Sequence, residues 1–277
     1  MEATRELHFE NPSFFKRLKG MLGVDFYRLF HTPMFYIFLA IAAIIPAMIL
    51  GTTGMENPQT GVAAAPLYTN VWQIIAADTP LYVVSDIAEY ANMNMVFIFG
   101  GIMVSIFIGH DYRSGYVKQL FTTHAKKQDY MMSKTITCAF AMACMCITYL
   151  LGAVAAGLLV GMSFEVQVAS LVYALLGKII MSLGWASLYT FLNVILRRYF
   201  GVSIVSSFFF GTGILIIGAA AIMGNNSALN IFLYGSSVYA CLSSSIVTVL
   251  VCLVVSVAWA VIYNVAGTWI LSKSDVY

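Results

Sequence analysis

Six apolar runs, each near or above the roughly 20 residues that cross the hydrocarbon of a bilayer, dominate this chain. They fall at about 34–51, 93–109, 136–161, 168–196, 201–223 and 246–271, and only the fourth contains a charged residue, Lys178. Charged residues make up 9% of the 277 and hydrophobic ones 61%, against about 25% charged in an average soluble domain. No water-facing surface can be built from that, so the solvent of these runs is lipid. The second run extends back to Asp86, whose side chain is placed to cap a helix with Glu89 three residues on.

Lys and Arg are retained on the cytoplasmic side during insertion. Arg5, Lys16, Arg17, Lys19 and Arg28 precede the first run; Arg113, Lys118, Lys126, Lys127 and Lys134 separate the second from the third. Arg197 and Arg198 join the fourth to the fifth, and Lys273 follows the sixth, so 13 of the 14 basic residues fall on one side. The opposite loops hold Glu56, Asp78, Asp86, Glu89 and Glu165 and no basic residue. The expected fold is therefore all-α: one polytopic transmembrane domain over residues 1–277, with six spans and cytoplasmic N- and C-termini.

Residues 13–30 form a separate element. Phe14, Phe15, Leu18, Leu22, Phe26 and Leu29 follow helical spacing, with Lys16, Arg17, Lys19 and Arg28 on the opposite face, the pattern of a helix lying in the cytoplasmic headgroup layer. Asp25 breaks the apolar face. Thr32-Pro33 ends this helix and leads into the first span. The charged arm ahead of the first apolar run excludes a secretory signal, so the N-terminus is expected to be retained. The outer stretch 52–92, with Thr79-Pro80 as a helix start, is expected to rest partly on the outer membrane face.

Little in the chain points to chemistry of its own. The net charge of +2 gives no reason to expect a nucleic-acid partner. His8, His31, His110 and His124 lack metal-ligand spacing, the five cysteines read as packing residues, and no phosphate-binding loop occurs. Three roles are open to Lys178: snorkelling to the outer headgroups, a pathway or gating charge, or a buried ion with a partner. Ser182, one helical turn on, would complete a Ser-Lys dyad. Ala153, Gly157 and Gly161 at spacing four permit close helix approach, within the bundle or between copies.

The segment from Asp111 to Lys134 is the informative one. Arg113 and Gly115 lead into a helical stripe of Tyr116, Val117, Leu120 and Phe121 beside Lys118, which reads as a small face for docking in a partner's groove; Lys126, Lys127 and Lys134 follow. On these residues the chain resembles the permease subunits of type-2 ATP-binding-cassette exporters. The likeness extends to the lead-in helix 14–30, the acid at 111 and glycine at 115 after the second span, the lysine at 134 entering the third, and an uncharged loop 224–245. The common proline and arginine of that family's loop are replaced here by His124-Ala125-Lys126-Lys127.

That resemblance implies a plasma-membrane protein of bacterial type in which two permeases, identical or related, sit on two separate ATPase subunits. ATP and Mg would bind on those ATPases and no cofactor on this chain. Residues 111–134 would seat in the ATPase and the spans would export a hydrophobic or amphipathic substrate such as a peptide, antibiotic or lipid. Two other classes stand beside it: an ion-coupled carrier or channel, which calls for mid-membrane acids or broken helices, and an intramembrane enzyme built on Lys178 and Ser182.

Overall fold

A computed structural model describes residues 13–52, 71–74, 93–122, 125–165, 168–223, 227–242 and 245–273. Among these the chain is α-helical with no strand: α1 (Phe14–His31), α2 (Pro33–Thr52), α3 (Met95–Arg113), α4 (Tyr116–Thr122), α5 (Lys127–Val160), α6 (Val168–Ile195), α7 (Phe200–Gly211), α8 (Ile214–Met223), α9 (Leu233–Leu242) and α10 (Ile246–Lys273). Helices α3, α5, α6 and α10 are each long and apolar enough to cross a membrane, and α1 with α2 makes a fifth candidate, bent by 65°. The protein is a multi-pass membrane protein.

The bend has a local cause. Thr32 adopts the extended backbone that a following proline enforces, its hydroxyl donates to the Arg28 carbonyl at 2.6 Å, and Pro33 starts α2 where a missing N–H costs nothing. Helix α2 then lies along α5, and α6 along α10. At one crossing a Cβ on Gly152 of α5 would fall 2.1 Å from the Ala43 carbonyl oxygen of α2. Ala153 and Gly157 are also turned inward, Gly157 against Val71, while Gly161 has φ +74 and ends α5. Ala153 and Gly157 therefore serve contacts within the chain.

The run 201–223, expected as one span, is two helices. Thr212 and Gly213 separate α7 from α8, and Gly213 has φ +66, where only glycine is unstrained. Its missing side chain leaves room for the Tyr234 ring, which a Cβ would meet at 2.2 Å. Helix α5 also starts nine residues before the apolar run does, and α3 continues four residues past it. Both extensions carry charge, because ion pairs inside the protein replace solvent there. The expected Asp86 cap and the Thr79-Pro80 helix start lie outside the described residues.

The principal core gathers α2, α3, α5, α6 and α9 around Phe97, Trp185 and Tyr189, whose rings stack in series. A second, smaller core of Val117, Tyr130, Met131, Val194 and Leu271 lies where α4, α5, α6 and α10 meet.

Candidate functional site

The segment 111–134 is built by a chain reversal. Helix α3 closes with Ser114 N–H donating to the His110 carbonyl at 2.9 Å, and Gly115 at φ +73 turns the backbone into α4. This is why the segment needs a glycine at 115.

Asp111, Asp25 and Lys134 are all fully buried beside this turn. The Lys134 Nζ donates to Asp25 Oδ1 and contacts Asp111 Oδ2, each at 2.6 Å. Ser133 Oγ donates to the other oxygen of Asp25 at 2.6 Å, and Arg28 pairs with Asp111 Oδ1. Two carboxylates thus face two cations, a neutral cluster joining α1, α3 and α5. The ring of Tyr116, on α4, completes it, with the Arg28 guanidinium 4.3 Å and the Lys134 ammonium 5.6 Å from its centroid. Burial pushes the Tyr116 hydroxyl above its ordinary pKa, and the Asp25 carboxylate adds to the shift.

The break that Asp25 makes in the apolar face of α1 has its explanation here: that face packs inward and Lys134 awaits it. Leu18 and Leu29 are buried with Asp25, whereas Phe15 stays 79% exposed, Phe14, Leu22 and Phe26 are partly buried, and Lys16 lies outside. Arg17 is drawn back to Asp129 at 2.8 Å. Sequence alone offered a signal, an acid at the centre of an apolar stripe, but not its partner.

The docking stripe is placed differently from its expectation. Val117 is buried, and Leu120 and Phe121 pack with it against Tyr130, Met131, Val194 and Leu271 of the same chain. The physical reason is the shortness of α4: its apolar face covers the cytoplasmic-end core that α5, α6 and α10 would otherwise leave open. Outward stand Arg113, Lys118, Gln119, Thr122 and Lys126, so the surface presented by this segment is polar and basic. Lys127 donates to the Leu271 carbonyl at 2.6 Å and ties the segment to the end of α10. His124 lies outside the described residues.

Lys178 is fully buried rather than snorkelling. Its Nζ donates to Asn94 Oδ1 and, at 2.6 Å, to the Ser237 carbonyl of α9, with the Phe97 ring centroid 5.7 Å away. Ser182 donates to the carbonyl of Lys178 at 3.1 Å; a hydroxyl directed at the helix backbone has no base to activate it.

One buried polar set has almost no signature in the sequence. Asn193 of α6 donates to Ser105 Oγ of α3 at 3.1 Å and accepts from Ser203 of α7, while Ser105 and Ser207 hydroxyls lie 2.8 Å apart. Ser203 and Ser207 at spacing four are its only trace. Among the described residues no group of three or more His, Cys, Asp or Glu could hold a metal ion.

A family model for ABC-2 family transporter proteins matches residues 22–214, more than half of the chain and all of the charged cluster. The chain belongs to the ABC-2 transporter family. No curated protein matched it. An ABC-2 family chain of this helical build is the membrane permease subunit of an ATP-binding-cassette transporter, and such permeases generally work with an ATPase subunit. Members of this family are transport membrane subunits.

Proposed function

We propose that this permease subunit exports a hydrophobic or cationic amphipathic substrate through a dimer seated on two ATPase subunits, with residues 111–134 as the segment that the ATPases move. In this reading the chain has six spans, α7 and α8 together making the fifth, and both termini are cytoplasmic. The observation that carries it is the outward basic surface of the segment from Arg113 to Lys126, with Lys118 on α4 at its centre. It is held by Tyr116 and Gly115 directly beside a charge cluster that joins the two spans flanking the segment to α1.

A push on α4 would not be lost in a loose loop, because α1, α3 and α5 are bonded to one another at its root. Nucleotide-driven closure of the ATPases would then bias the helices between two arrangements. The basic face calls for an acidic or carbonyl-lined cleft on the ATPase.

The test is reconstitution with an ATP-binding-cassette ATPase partner. Lys118→Glu combined with Arg113→Glu should abolish stimulation of ATP hydrolysis by the permease and lower its unfolding temperature by no more than about 2 °C, the share of the Arg113 contact with the Phe200 ring. Substrate transport at the wild-type rate by this double variant, or transport driven by an ion gradient without any ATPase, would sink the proposal.

A further inference from the structure

A groove of about 730 Å³ runs between α5 and α10 with Leu183 of α6 in its floor. This lies in the range of small-molecule sites, which are about 300–1,000 Å³. Along α10 it extends from Val257 to Ser272, about 22 Å at 1.5 Å per residue, close to the thickness of one leaflet with its headgroups.

The groove is graded in polarity. Its deep end is apolar, and Val261 and Val265 on its rim are 57% and 65% exposed. Midway, Thr135 donates to Asn264 Oδ1 at 3.1 Å and Asn264 Nδ2 donates to the Ala260 carbonyl at 2.8 Å, so these groups satisfy one another. The other end opens beside Gln128 and Trp269. Two lysines flank that end without lining it: Lys273, next to Ser272 in the chain and with its Nζ 4.0 Å from the Trp269 ring centroid, and Lys127, next to Gln128 and bonded to the Leu271 carbonyl. Among the described residues no carboxylate lines the groove. Asp129, in the first turn of α5, is buried and paired with Arg17.

We propose that this groove holds one phospholipid of the cytoplasmic leaflet, an acyl chain along the valines of α10 and an anionic headgroup at Lys127 and Lys273. Charge decides against a second copy of the chain. Two copies share one orientation in the membrane, so α10 against α10 would bring like-charged Lys273 side chains together at the same depth. An anionic headgroup is the complementary occupant, and the cytoplasmic leaflet supplies it. Lipid binding here depends on the basic-inside orientation and is independent of the ATPase.

The test takes the full chain in mild detergent and measures lipid retention by native mass spectrometry. Phosphatidylglycerol and phosphatidylcholine with the same acyl chains are the probes. Wild-type protein should retain one phosphatidylglycerol in preference to phosphatidylcholine. Val261→Trp, which fills the groove from an exposed position, should lose both lipids; Val265→Trp gives the same reading should the first variant elute as aggregate. Lys127→Gln and Lys273→Gln should each weaken phosphatidylglycerol retention roughly fivefold and leave phosphatidylcholine retention as it was. Equal retention of the two lipids by wild type, undiminished retention by the tryptophan variants, or a disulfide between copies through Val261→Cys would each overturn the proposal. ATP plays no part in these readouts, so their failure leaves the coupling role of α4 standing.

Discussion

Replacing Lys134 by Met should destabilise the protein more than any other single change at the α1, α3 and α5 junction. The ammonium makes two contacts of 2.6 Å, to Asp25 and Asp111, and all three side chains are inaccessible to solvent. Methionine fills similar volume without charge, so packing is retained while the cluster changes from neutral to one net negative charge. Removing one partner of a buried ion pair costs about 3–5 kcal/mol, because the charge left behind keeps its desolvation penalty. At about 2 °C per kcal/mol for a chain of this size, the unfolding temperature in detergent should fall by roughly 6–10 °C. Asp25→Asn in the same chain restores neutrality, leaving Arg28 with Asp111. The double variant Asp25→Asn/Lys134→Met should therefore be more stable than Lys134→Met alone, with a coupling of about 1–3 kcal/mol. Fluorescence-detected size-exclusion chromatography across a temperature series reads both quantities. A Lys134→Met protein unfolding within about 1–2 °C of wild type, or a double variant as unstable as the two singles summed, would refute the account of a neutral interlock.

Three further outcomes are open to measurement. Gly213→Ala should cost about 1–3 kcal/mol, since φ +66 is strained for alanine and its methyl would meet the Tyr234 ring at 2.2 Å; the same thermal assay checks it, and an unchanged midpoint would mean that the α7–α8 break does not depend on this backbone. Gly152→Val should part α2 from α5, because even a Cβ would lie 2.1 Å from the Ala43 carbonyl oxygen. A cysteine pair placed across that crossing should then lose its cross-linking, and persistent cross-linking would contradict the close approach. Ser182→Ala should leave transport intact and change stability by no more than about 1 kcal/mol, as the hydroxyl donates to the Lys178 carbonyl of its own helix and meets the Cys146 Sγ of α5 at 4.0 Å, a weak partner; abolished transport with intact folding would revive the Ser-Lys dyad.

Much of the site is legible in the order of residues alone. Asp111, Gly115 and Lys134 stand out there as an acid, a glycine and a lysine between two apolar runs; that Asp111 lies within α3, that Gly115 is left-handed and that Lys134 lies seven residues into α5 is decided by the folded chain. The direction of the α4 stripe is not legible in the same way. A short amphipathic helix buries its apolar face against whichever surface is nearest, and whether that surface is Leu271 and Tyr130 of the same chain or a partner's groove is decided only by where α5 and α10 end.

The sequence by itself determined a membrane-embedded helical protein, because apolar runs near 20 residues long have no other stable solvent and backbone groups in lipid must be bonded within helices. It also determined the break between α1 and α2, since proline at 33 acts locally on its own φ and on the backbone of Thr32. Only the tertiary structure decided which charges meet. Asp25 lies 109 residues from Lys134 and Lys178 lies 59 from Ser237, and a buried charge reads in sequence as a blemish until packing supplies the group that neutralises or solvates it. The same limit applied to the fifth apolar run, where hydropathy is continuous and the break at Gly213 is fixed by a tyrosine from α9.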